Sequence, residues 1–152
     1  MDGLELDKLK ENFDLIICTW FTAGNFYPSD FSFETDSSGK LKKKIDLSKN
    51  PKFTRIFQLA YNLLDKNGEI VLGSIYIDNE SSRKHQEDFY LKCGMKIISR
   101  PKDSVAVTNK NYWSQRFTKE KVFGYLNFVP REKISFINLD TYDYAMLVRI
   151  KK

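Results

Sequence analysis

Few residues in this chain are of the types that carry covalent or metal chemistry. There is one histidine, His85, and there are two cysteines, Cys18 and Cys93. None has the close Cys or His neighbour that a zinc site needs. His85 lies in a highly charged stretch that reads as helical. A solvated face is its expected setting, which removes the base from most Ser-His or Cys-His schemes. Both cysteines sit in apolar surroundings and read as buried, reduced thiols of a cytoplasmic protein. The other candidates are binding groups. The loop Cys18-Thr19-Trp20-Phe21-Thr22-Ala23-Gly24-Asn25-Phe26 offers a hydroxyl, aromatic walls and an amide. Tyr76 brings a phenol. Tyr112, Trp113, Ser114 and Arg116 combine aromatic surface with a guanidinium, which suits an amphipathic or anionic ligand but also suits a small packing cluster. Lys40, Lys42, Lys43 and Lys44 read as a solvated loop, with a phosphate-binding patch as the alternative.

These residues need elements to hold them. Phe13-Asp14-Leu15-Ile16-Ile17-Cys18 is a short, nearly continuous apolar run, the pattern of a strand buried on both faces. Residues 27–50 read as a mobile surface excursion. Asn50 can then cap a helix with Pro51 at its first position. Phe53, Ile56, Phe57, Ala60, Leu63 and Leu64 recur at helical spacing up to Lys66, with Gly68 as terminator. Residues 69–76 read as a second buried strand, so strand, helix and strand make a parallel βαβ unit. The loop 19–26 and Tyr76 both leave carboxyl ends of these strands, where ligands lie in open α/β sheets. Residues 79–93 are expected to be helical, with Gly94 beyond. Residues 95–99 and 104–108 could pair as a hairpin, and 109–117 reads as a loop. Thr118 can cap a further helix. Residues 133–139 and 142–150 are separated so briefly that they must pair antiparallel.

Composition narrows the class. The chain has 152 residues, 41% of them apolar and 30% charged, which fits one folded domain rather than a disordered segment. A net charge of +5, with acids scattered among the bases, permits a nucleic-acid partner without implying one. No apolar run approaches the ~18 residues of a membrane span, and the acidic start lacks the character of a signal peptide.

The order of these elements resembles the C-terminal half of a class I S-adenosylmethionine-dependent methyltransferase. The resemblance rests on Phe13-Asp14-Leu15-Ile16-Ile17-Cys18 and on Leu63-Leu64-Asp65-Lys66-Asn67-Gly68-Glu69-Ile70-Val71-Leu72 leading into the next strand. It rests also on the closing hairpin, on Asp2-Gly3-Leu4-Glu5-Leu6, and on the loop 18–26, which is similar to that of small-molecule members but has Phe21 where they carry Asn. It implies a Rossmann-like α/β half-sheet, with parallel strands and helices plus a C-terminal antiparallel hairpin. It implies a single domain over 1–152 with an inserted, lid-like segment at about 79–117. S-adenosylmethionine is the implied cofactor, contacted by Asp2, Cys18, Thr19, Trp20 and Phe21. Asn25, Tyr76, Tyr112, Trp113 and Arg116 would face a small-molecule methyl acceptor. The family's glycine-rich loop has no counterpart, because no G-x-G-x-G occurs in the sequence. A missing N-terminal half, or a second chain, is therefore expected to pair with strand 13–18, whose apolar residues would otherwise be bare. A non-catalytic interaction module and a nucleic-acid methyltransferase are the alternatives.

Overall fold

The computed structural model describes residues 3–19, 21–28, 31–43, 46–99 and 104–152. Asp2, Trp20, Lys44 and the connection 100–103 lie outside these described residues.

The expected βαβ unit is present. Strand β1 (Phe13–Cys18) runs parallel to β2 (Leu64–Ile77), with Ile16 beside Ile70 and Cys18 beside Leu72. Helix α1 (Pro51–Asn62) crosses between them. Its start is fixed twice by Asn50, whose Oδ1 accepts the Phe53 N–H at 3.1 Å while its Nδ2 donates to the Phe26 carbonyl at 2.5 Å. Phe53, Phe57 and Ala60 press onto Ile70, Leu72, Met146 and Val148 in the main core.

The helix ends earlier than its apolar spacing predicts. The Leu63 carbonyl, which a longer helix would give to Asn67, instead accepts the Phe13 N–H at 2.9 Å and starts the β1 pairing. Residues 65–68 then bulge out of register. Gly68 is no terminator but a point of close approach, since a Cβ there would lie 2.8 Å from the Phe13 carbonyl oxygen.

After α2 (Glu80–Lys92), the expected hairpin of 95–99 with 104–108 is reduced to one bridge, Ile97 to Thr108. The short strand β3 (Val105–Val107) pairs instead with β4 (Trp113–Phe117), in the segment expected to be a loop. All five β4 residues are buried, three of them polar, so no alternation marks the strand. Its polar side chains find distant partners: Ser114 and Arg116 bond Gln86, and Gln115 bonds the Tyr125 hydroxyl.

Thr118 caps α3 (Lys119–Tyr125) through the Lys121 N–H. Strands β5 (Ile134–Leu139) and β6 (Tyr142–Lys151) form the antiparallel hairpin, and β6 joins the sheet antiparallel to β2. The sheet order is β3-β4-β2-β6-β5, with β1 also on β2.

Residues described within 27–50 are less loose than expected. Phe31, Phe33, Leu41 and Leu47 pack with Val105, Val107 and Trp113 into a second small core. Lys40, Lys42 and Lys43 stay exposed, and Lys42 pairs with Glu34 at 3.5 Å. Cys93, expected buried, caps the end of α2 and is exposed; both thiols are free. No helix among the described residues is long and apolar enough to cross a membrane.

Candidate functional site at the divided edge of the central strand

The edge of β2 away from β6 is shared by two parallel neighbours. β1 pairs along it as far as Leu72, and β4 takes the tip, with Tyr76 beside Arg116 and Ile77 beside Phe117. Between them β2 breaks register, at Gly73 and Ser74. Ser74 has φ of 62° and Phe21 has φ of 55°, both in the left-handed region that non-glycine residues avoid. The Phe21 N–H donates to the Ser74 carbonyl at 3.0 Å, so the two unusual residues hold each other. The single turn Thr22–Asn25 then fills the gap between β1 and β4. Gly24 permits this, because a Cβ there would lie 3.0 Å from the Gln115 carbonyl oxygen.

This division aims aromatic rings at one place. Phe21 stacks on Tyr76 with ring centres 4.0 Å apart and planes 15° from parallel. The Tyr76 hydroxyl lies 3.2 Å from His85 Nδ1, and His85 stacks on Tyr144 at 4.0 Å and 12°. Tyr90 and Tyr112 close the far side with centres 5.3 Å apart, and the Tyr112 hydroxyl donates to Asn25 Oδ1 at 3.2 Å. Together with Phe89 and Ser114 these rings line a partly open cavity of about 360 Å³. A second cavity of about 400 Å³ adjoins it, lined by Thr19, Gly73, Ser74, Leu139 and Tyr142. Phe21 and Tyr144 line both.

Burial pushes the Tyr76 phenol up to about 12, helped by the neighbouring Tyr144 and Tyr112. Burial also raises Tyr90. Both stay neutral hydroxyls at physiological pH. Burial raises the Cys18 thiol too, opposed by a hydrogen bond with the Ala23 backbone, so Cys18 is no ready thiolate.

The residues singled out from the sequence divide. Thr19, Phe21, Tyr76 and Tyr112 line the cavities, and Asn25 braces Tyr112 from outside them. Cys18 turns to the core side of β1. Trp113 is buried against Phe31, with ring centres 4.6 Å apart, in the second core. Arg116 is buried, with its Nε 3.3 Å from Asp78, so its guanidinium serves the packing of β4 on α2 rather than either aromatic cavity. Asp2 and Trp20 lie outside the described residues.

The cavity wall also contains His85, Tyr90 and Tyr144, which no sequence motif marks. The expected solvated face for His85 is corrected by its contacts with Tyr76 and Tyr144. A signal existed in the spacing of Ser82, Gln86 and Tyr90, which puts one inward face on α2, with His85 beside it, despite the charges around it.

No protein-family model matches the chain, and no curated protein sequence matches it. Among solved structures, the fold is similar to a S-adenosylmethionine-dependent methyltransferase from Clostridium acetobutylicum. The match has a TM-score of 0.50 and 12% identity, and covers 99% of this chain. The chain spans 62% of the length of that structure. The fold is thus a mixed α/β arrangement with a curled sheet that resembles a methyltransferase.

The protein of that structure depends on S-adenosylmethionine, and the described residues here fit that group incompletely. The cavity at Thr19, Phe21, Gly73 and Ser74 gives an apolar wall at a strand end. Among the described residues no carboxylate lines either aromatic-walled cavity, so the ribose hydroxyls would lack an acidic partner here.

Proposed function

We propose that this chain forms the acceptor-binding part of a S-adenosylmethionine-dependent methyltransferase that acts on a small molecule. The observation that supports it is the pair of adjoining cavities beside the carboxyl ends of β1 and β2, in a fold that resembles a methyltransferase. A sulfonium donor arrives activated, so a protein need only orient the acceptor and exclude water. An aromatic-walled cavity suits the first task and covers part of a bound acceptor from water. In this reading Thr19 and Phe21 stand on the cofactor side, with Tyr76, Tyr112 and Asn25 on the acceptor side. A cytoplasmic location goes with it.

The reading includes a complementary polypeptide, continuous with this chain or separate, that pairs along β1 and brings the glycine-rich backbone the cofactor needs. Among the described residues β1 pairs only with β2, which leaves its other edge open to such a partner, and Leu15 and Ile17, on the face turned from α1, are 48% and 56% exposed. The same exposure supports a second reading, in which the chain is a non-catalytic module docking through β1.

Calorimetry with S-adenosylhomocysteine separates these possibilities. The chain alone should show no low-micromolar binding, and binding should appear once a complement with a glycine-rich strand is added. Low-micromolar binding by a monodisperse monomer would overturn the need for a complement. No binding by the completed assembly would overturn the methyltransferase reading and leave the docking module.

A further inference from the structure

We infer that the cavity between β2, α2 and β6 is a binding site for a planar, uncharged aromatic ring bearing a hydroxyl group, held by stacking and by the His85–Tyr76 pair. Its role as methyl acceptor rests on the reading above; binding itself does not.

The cavity walls argue for a ring. They contain two parallel stacks, Phe21 on Tyr76 and His85 on Tyr144, each with centres 4.0 Å apart. A flat ligand extends such stacks at the spacing already present. At about 360 Å³ the space is at the small-molecule end of binding pockets.

Charge argues against an ion. No carboxylate, lysine or arginine lines this cavity among the described residues. Asp78 is committed to Arg116, and Asp143 accepts from Ser81. An anion would find no lysine or arginine to pair with among the described residues that line it. A cation would find no counter-charge and would rest on the ring faces alone.

The polar groups select a hydroxyl. Ser114 Oγ accepts from Gln86 at 2.9 Å, and the Tyr112 hydroxyl is spent on Asn25. His85 is different. Its Nδ1 faces the Tyr76 hydroxyl, and its Nε2 has no hydrogen-bond partner among the described residues. The Tyr76 pair can run either way: the phenol donates to Nδ1, leaving Nε2 a donor, or Nδ1–H donates to the phenol oxygen, leaving Nε2 an acceptor. A ligand hydroxyl, itself donor and acceptor, matches both. In the second arrangement Nε2 accepts the hydrogen bond of the ligand hydroxyl.

His85 is the sole histidine, so its ring signals in NMR report on this cavity without overlap. The experiment titrates the chain with 2-naphthol, naphthalene, decahydro-2-naphthol and tetramethylammonium, following those signals. The expected result is saturable shifts with 2-naphthol, about tenfold weaker binding of naphthalene for want of one hydrogen bond, and little response to the other two. In His85→Phe, followed by the fluorescence of 2-naphthol, the preference for 2-naphthol over naphthalene should vanish while naphthalene still binds. Tyr144→Leu should weaken both. Tighter binding of tetramethylammonium, equal binding of decahydro-2-naphthol, or no His85 shift with 2-naphthol would overturn the inference. Cofactor binding is not read in any arm, so failure here leaves the methyltransferase reading to its own test.

Discussion

Phe21 and Ser74 both adopt left-handed backbone and are joined by a 3.0 Å hydrogen bond from the Phe21 N–H to the Ser74 carbonyl. This contact marks where β1 leaves the edge of β2 and β4 takes it over. It also sets the Phe21 ring on Tyr76, and through Tyr76 the chain of contacts to His85 and Tyr144. A local backbone cost is thus tied to the assembly of the aromatic cavity.

The cost at Ser74 can be measured. Left-handed backbone costs a non-glycine residue ~1 kcal/mol or more. Ser74→Gly should raise the urea midpoint by an amount equal to ~0.5–1 kcal/mol, less than the strain because glycine loosens the unfolded chain. Ser74→Val should lower it. A Ser74→Gly protein less stable than wild type would show that the serine side chain matters more than the backbone.

Gly68 faces the opposite constraint, one of space. A Cβ there meets the Phe13 carbonyl oxygen at 2.8 Å, and backbone of β1 cannot swing aside as a side chain would. Gly68→Ala should cost ~1–3 kcal/mol and should raise hydrogen exchange in β1 more than in β6. Unchanged exchange in β1 would contradict the close approach.

Arg116→Ala should destabilise by ~3 kcal/mol, because it strands Asp78 and the buried Gln86. Asp78 retains some solvent, which keeps the loss at the low end of buried pairs. Arg116→Lys should recover little, since one ammonium cannot span both partners. Denaturation of the three proteins decides this. Loss of 2-naphthol binding in a folded Arg116→Lys protein would show that Arg116 reaches the cavity after all.

Alkaline stability should report Tyr76. Its folded pKa is raised to about 12, against about 10 for an unfolded tyrosine. The unfolded state therefore loses its proton first. Stability is whole below pH ~10, falls as pH rises, and this contribution is gone above the folded value. Tyr90 adds in the same direction. In Tyr76→Phe the fall in urea midpoint between about pH 9 and 11.5 should be shallower than in wild type; an equal fall would remove Tyr76 from the account.

Self-association is expected to run through the bare face of β1. Ile16 beside Ile70 lies on the core side, so Ile16→Lys would damage the fold. Ile17→Lys is the informative change, because Ile17 is 56% exposed. Sedimentation should show wild type associating and Ile17→Lys monomeric at unchanged thermal midpoint. A wild-type monomer at high concentration would argue against an apolar partner surface here.

Much of this architecture is local and was legible in the residues. Asn50 and Thr118 cap through their own neighbours. The apolar run of β2 found the burial its pattern called for, while β1, expected buried on both faces, covers only its Ile16 and Cys18 side and leaves Leu15 and Ile17 exposed; the short link after Leu139 left β5 and β6 no choice but to pair antiparallel. What tertiary structure alone decided depends on partners far along the chain. The end of α1 was set by Phe13 taking the Leu63 carbonyl. The β4 strand exists because Gln86 and Tyr125 satisfy polar side chains that no strand pattern would bury. The site followed the same rule. Phe21 and Tyr76 stood out as single residues, but His85 became a cavity wall only when β2 and β6 brought Tyr76 and Tyr144 against it. Sequence spacing governs contacts within an element; a hydrogen bond or a ring stack across dozens of residues depends on how the elements pack, and that is where this cavity is made.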